Sequence, residues 1–118
     1  MSKRRVVVTG LGIVSPVGNT VSAAWENIIS GKSGITRITR FDASNFASQI
    51  AGEVKDFDIQ QYLSVKEARR MDIFIHYGMA AAIQAIKDAG IEDVTHFDSE
   101  RIGVNIGSGI GGLPMIEN

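Results

Sequence analysis

Cysteine is absent from the 118 residues of this chain. Disulfides, zinc–thiolate sites and a cysteine nucleophile are therefore excluded within them. An excess of either charge is missing too: 12 Lys and Arg stand against 13 Asp and Glu, a formal net charge of −1. The broad basic field behind non-specific nucleic-acid binding is lacking, and a charged partner has to be met by a local patch. Long apolar runs are the third absence. Lys3-Arg4-Arg5 leads into a charge-free stretch from Val6 to Trp25, superficially the layout of a signal peptide or membrane span. Gly10, Gly12, Pro16, Gly18, Asn19 and Thr20 break that stretch, and no apolar run in it exceeds the three residues of Val6-Val7-Val8. No cleaved signal, membrane span, low-complexity tract or heptad array is expected, and a cytoplasmic location follows.

What is present is an ordinary globular composition, 44% apolar and 21% charged. It suits one compact domain at most, burying roughly two-thirds of its unfolded surface. Arg5 to Thr9 is a β-branched run ended by Gly10-Leu11-Gly12, which predicts a buried strand opening into a glycine turn. Asn19 or Thr20 can cap a helix whose apolar positions Val21, Ala24, Trp25, Ile28 and Ile29 fall at helical spacing, with Gly31 as its stop. Residues 32–49 show no sustained period and predict a long connection anchored by Phe41 and Phe46, before a short edge strand over Ile50 to Val54.

Ser64-Val65-Lys66-Glu67 has the pattern of a capping box and predicts a helix start. From Asp72 onward that helix is apolar almost all round, since Phe74, Tyr77, Gly78, Ala80 and Ala81 lie off the stripe formed by Ile75, Met79, Ala82, Ile86 and Ala89. It should be central, with Gly78 and Ala80 to Ala82 admitting another backbone and Gly90 ending it. An acidic loop follows over Glu92 to Glu100, then a second strand over Ile102 to Ile106. Strands alternating with helices predict an α/β class with at least two central parallel strands.

Gly107-x-Gly109-x-x-Gly112 fits the dinucleotide fingerprint, and Gly10-x-Gly12-x-x-Ser15 misses it by one glycine. Glycines after a strand let N–H groups approach a pyrophosphate at a helix N-terminus. Neither the helix that should follow Gly112 nor the acidic ribose ligand about twenty residues further on is expected, and Pro16 intervenes after the first match. Sharp turns at the ends of buried strands explain both glycine groups more simply. The two segments also align as copies, Arg4 with Arg101, Val7 with Val104, Gly10 with Gly107, Gly12 with Gly109 and Ile13 with Ile110.

Several motifs in order then carry a resemblance across essentially the whole chain. They are Arg4 to Gly12, Ser15 to Asn19, Gly31 to Ile35, Phe41-Asp42, Met71-Asp72 and Gly107 to Gly112. Together they resemble the N-terminal part of the β-ketoacyl-acyl-carrier-protein synthase II family. The resemblance implies the first portion of a thiolase-like fold, in which two similar α/β halves stack their sheets between helical layers. Residues 1–118 would form part of the first half. It also implies a homodimer that condenses an enzyme-bound acyl chain with malonyl-carrier protein, releases carbon dioxide and extends a fatty acid by two carbons. No cofactor, metal, nucleic acid or membrane is implied.

The family's chemistry uses a cysteine thiolate and two histidines, and none of these maps here. A thiolate serves as both nucleophile and leaving group. His76 and His96 lie outside the family's histidine motifs and are read as ordinary partnered or exposed histidines, so no catalytic residue is assigned and the chain alone should be inactive. Lys66, Arg69 and Arg70 match the family's basic patch for docking the acidic acyl carrier protein. Read without the resemblance, they are a solvated helix end able to pair with Glu67 or Asp72. Ile110 matches a residue at the base of the family's acyl pocket, and is otherwise a hydrophobic plug in a glycine turn. Two other readings remain: a nucleotide-binding α/β module using Gly107 to Gly112, and a non-catalytic interaction domain of the same fold.

Overall fold

Thr20 ends the N-terminal loop by capping the first helix, its hydroxyl oxygen accepting the N–H of Ala23 at 3.2 Å. The computed structural model describes residues 2–117, and in it α1 runs Val21–Ile29. Gly31 ends the helix in the left-handed region, where a glycine carries no Cβ penalty. The connection that follows is not featureless. Ile35–Arg37 forms β1, which pairs antiparallel with β2, Ile50–Gly52, in the register Ile35↔Gly52, Thr36↔Ala51 and Arg37↔Ile50. Three residues are too few to show a period, which hides β1 from pattern reading. The predicted edge strand is present in β2. Phe41 and Phe46 are not core anchors: they meet edge to face at 5.8 Å and both stay exposed.

The capping box forms as expected. Ser64 Oγ accepts the Glu67 N–H at 3.3 Å, and Glu67 Oε2 accepts the Ser64 N–H at 3.1 Å. The helix it starts, α2, covers only Val65–Ala68. The expected single helix is in fact two, because Asp72 takes extended backbone angles and its carboxylate accepts the N–H of Ile73. Asp competes with the helical backbone and restarts it as a cap. α3 runs Ile73–Ala89, and Gly90, in the left-handed conformation, closes it. The acidic loop contains two single 3₁₀ turns, Val94–His96 and Ser99–Arg101, opened by Asp93 and Asp98. Leu113–Glu117 winds as α4, so a helical turn does follow the second glycine group, corrected from the expectation that none would.

α3 is the element against which the N-terminal segment lies. A Cβ at Gly10 would stand 2.2 Å from the Ala85 carbonyl oxygen, and one at Gly12 would stand 1.9 Å from that of Ala81. The close approach predicted for this helix is thus made by Gly10 and Gly12 on its alanine face. Gly78 has nothing within 4 Å of where its Cβ would be. Asp88 Oδ2 accepts the Leu11 N–H at 2.9 Å, and Gln84 Oε1 accepts the Ile13 N–H at 3.2 Å. Gln84 Nε2 also donates to the Asn19 carbonyl and the Tyr62 hydroxyl, tying three segments to one side chain.

The two predicted central strands are not paired. Among the described residues the only sheet is the two-stranded antiparallel β1–β2, so the expected parallel pairing is corrected. Val6 is 88% exposed and Val104 82%. Buried apolar side chains among the described residues are four alanines, Ala24, Ala43, Ala68 and Ala80, with no large one fully buried. The accessible surface is 9789 Å², against about 6,200 Å² for a folded chain of this mass and about 18,000 Å² unfolded. Under half of the unfolded surface is buried, not two-thirds. The radius of gyration, 17.6 Å, likewise exceeds the about 13.5 Å of a compact domain. β-Branched runs form strands only where neighbours accept their hydrogen bonds and cover their faces, and among the described residues none pairs with these two runs.

Candidate functional site

The capping box places Lys66 on α2 and brings Arg69 and Arg70 just beyond its end, and all three are exposed. Glu67 does not neutralise them, because its carboxylate is held by Ser64. The Ser64 hydroxyl, and then its N–H, hold the Glu67 carboxyl below the usual glutamate range. Among the described residues the one ion pair is His96 Nε2 with Asp93 Oδ2 at 3.4 Å, far along the chain. The bland expectation of pairing with Glu67 or Asp72 is therefore not met, and the three cations present their charge to solvent.

Ile110 lies in the second glycine turn and is 74% exposed. Beside the turn is a cleft of about 290 Å³, walled by Phe74, Ile75, Gly78 and Met79 of α3 and by Ile106, Gly107 and Ser108. Ile110 does not line that cleft. The turn meets the start of α3, where Asp72 lies against Gly112 and the Phe74 ring faces Gly111. Sequence reading missed these two contact residues. An Asp before an apolar helical run is an N-cap signal, but nothing in the pattern ties it to a glycine forty positions later.

The same contact bears on the phosphate-binding alternative. A carboxylate lies against the last glycine of the fingerprint, where a pyrophosphate would bring its own negative charge, and like charges repel at that range. Gly10 and Gly12 are closed off by α3, whereas Gly107 and Gly109 have nothing within 4 Å, so the two aligned glycine groups do not share an environment. His76 Nε2 donates to the Ala68 carbonyl at 2.8 Å, which makes it a pin between α3 and α2. His96 is exposed beside Asp93. Among the described residues no helix is long and apolar enough to cross a membrane.

Comparison with known proteins gives the class to which this arrangement belongs. The family described as Beta-ketoacyl synthase, N-terminal domain matches residues 3–117, and the chain belongs to that family. Its fold is part of the thiolase-like ketosynthase architecture. One solved structure that it resembles is the ishigamide ketosynthase/chain length factor, at TM-score 0.66 and 35% identity over 76% of this chain and 22% of that one. Another is a type II polyketide-synthase acyl-carrier protein in complex with its ketosynthase bound to the hexaketide, at TM-score 0.61 and 32% identity over 82% of this chain and 25% of that one. More particularly, the chain is 59% identical over 117 residues to the 3-oxoacyl-[acyl-carrier-protein] synthase 2 of Vibrio harveyi, covering 99% of this chain. It spans 28% of the length of that relative.

Proposed function

We propose that this chain serves as the N-terminal stretch of a condensing enzyme of fatty-acid elongation. That enzyme joins an enzyme-bound acyl group to the malonyl unit of an acyl carrier protein, with loss of carbon dioxide and a gain of two carbons. Support comes from the 59% identity to a relative of that name and from the unpaired strand segments, which need the rest of such a fold to cover them. The full-length synthase is a cytoplasmic homodimer. Its thiolate belongs to the remainder of the polypeptide, because this chain has no cysteine. What the chain contributes is a docking patch for the carrier at Lys66, Arg69 and Arg70 and one residue of the acyl pocket, Ile110.

One geometric observation carries the docking role: three exposed cations within five residues, none in an ion pair, on a chain of net charge −1. Cations that are already paired steer weakly, whereas unpaired ones facing an acidic partner raise its association rate. The test is stopped-flow association of the carrier with the full-length synthase, wild type against Arg69→Glu/Arg70→Glu, over a salt series. The reversal should slow association at least about tenfold at low salt. The gap should narrow as salt rises, since attraction is screened over about 10 Å at 0.1 M. Equal rates at low salt would reduce the cluster to a solvated helix end. Carrier binding without any turnover by the full-length protein would favour a non-catalytic interaction domain instead.

A further inference from the structure

Four glycines occupy the turn from Gly107 to Gly112, and two of them make its close approach to the start of α3. A Cβ added at Gly107 or Gly109 would meet nothing within 4 Å. One added at Gly111 would stand 3.3 Å from Cζ of Phe74, and one at Gly112 would stand 1.3 Å from Oδ2 of Asp72. The Asp72 carboxylate is itself held in place. Its Oδ1 accepts the Ile73 N–H at 2.6 Å as the cap of α3, while Oδ2 is buried without any hydrogen-bond partner. Capping needs only one oxygen, and a serine would supply it without burying a second. A buried, unsatisfied carboxylate oxygen is a cost that the cap does not explain.

We propose that Asp72 is a positioning residue for Ile110: its free oxygen is the stop against which Gly112 seats, as the Phe74 ring is for Gly111. The two stops lie at the foot of the wall formed by Phe74, Ile75, Gly78 and Met79, so they set how far the turn stands from α3. The stance of the turn decides where Ile110 projects, and so how long an acyl chain can enter. This role rests on the reading of Ile110 as an acyl-pocket residue.

The experiment compares Asp72→Ser, Asp72→Asn, Gly112→Ala and the double variant Asp72→Ser/Gly112→Ala in the full-length synthase. Ser and Asn both cap a helix about as well as Asp, so α3 keeps its start in each. Asp72→Ser lacks the branch that touches Gly112. It should speed amide exchange across residues 107–112 at least about tenfold and change the ratio of kcat/KM for a long over a short acyl primer at least about threefold. Asp72→Asn, which keeps the shape, should hold both within about twofold. Gly112→Ala should disturb both readouts, because its methyl needs the space of the carboxylate. The double variant should return them toward wild type as that methyl fills the vacated space, a coupling that independent sites would not show. Unchanged exchange in Asp72→Ser, or additive effects in the double variant, would overturn the seat. Faster exchange with an unchanged primer ratio would overturn the specificity role. Ile110→Phe acts on the pocket directly and separates failure of the seat from failure of the pocket reading.

Discussion

Two glycines at the same helix, one packed against it and one within it, meet opposite surroundings. Gly12 presses on the Ala81 carbonyl, a backbone atom that cannot swing aside, while Gly78 lies inside α3 with open space at its Cβ position. Gly12→Ala should therefore destabilise the full-length synthase by roughly 1–3 kcal/mol, whereas Gly78→Ala should raise the helix content of the 118-residue chain, since alanine is favoured over glycine in a helix interior by about 0.5–1 kcal/mol. Denaturant melting of the first and circular dichroism of the second check the contrast; an unchanged midpoint for Gly12→Ala or lower helicity for Gly78→Ala would refute it. Glu67 offers a second residue-scale test. Its carboxyl is held below the ordinary glutamate range by the Ser64 hydroxyl and N–H. The folded state therefore favours the charged form. The contribution of the capping box is present above the unfolded glutamate value and is lost as pH falls through the lower folded one. Ser64→Ala should raise the Glu67 titration midpoint, read by carboxyl-carbon NMR, and an unmoved midpoint would show that Ser64 is not the cause.

At the scale of elements, local signals located the boundaries well and the pairings badly. Thr20, the Ser64–Glu67 box and Gly90 mark helix ends because caps act within a few residues of themselves. The break between α2 and α3 was written in Asp72, but the apolar residues on either side masked it. With that break, Arg69 and Arg70 stand exposed after a one-turn helix and Asp72 lies at the second glycine turn. That turn carries the element-scale prediction. On the proposed reading of Ile110 as an acyl-pocket residue, Ile110→Phe in the full-length synthase should depress use of long acyl primers more than short ones, because overpacking a pocket base costs roughly 1–3 kcal/mol. Chain-length profiling decides it: an equal loss for every primer would make Ile110 packing alone.

The whole molecule is defined by what it leaves uncovered. Val6 and Val104 are almost fully exposed, α1 turns Trp25 to solvent at 60% exposure, and the buried apolar residues among those described are alanines. Covering these apolar side chains calls for further polypeptide of the kind proposed above. The 118-residue chain by itself should bind a hydrophobic dye such as ANS strongly and take up no label from radiolabelled acyl thioester. In the full-length synthase the amides of residues 6–8 and 104–106 should be protected from exchange. A dye-silent chain, or acyl labelling of this polypeptide, would contradict the reading in turn at the level of the fold and of the chemistry.

The sequence by itself determined the family, the caps of α1, α2 and α3, the absence of a thiol nucleophile and the presence of three clustered cations, because each is a matter of residue identity or of interactions a few positions long. It did not determine which of its β-branched runs would pair. Arg5 to Thr9 and Ile102 to Ile106 have the composition of strands, yet strand pairing is non-local and needs a neighbour to accept the hydrogen bonds. Only the tertiary structure decided that the cations lack ion pairs, that Gly10 and Gly12 close on α3, and that Asp72 meets Gly112. Each of those depends on which surfaces come together across tens of residues, and no local spacing encodes it.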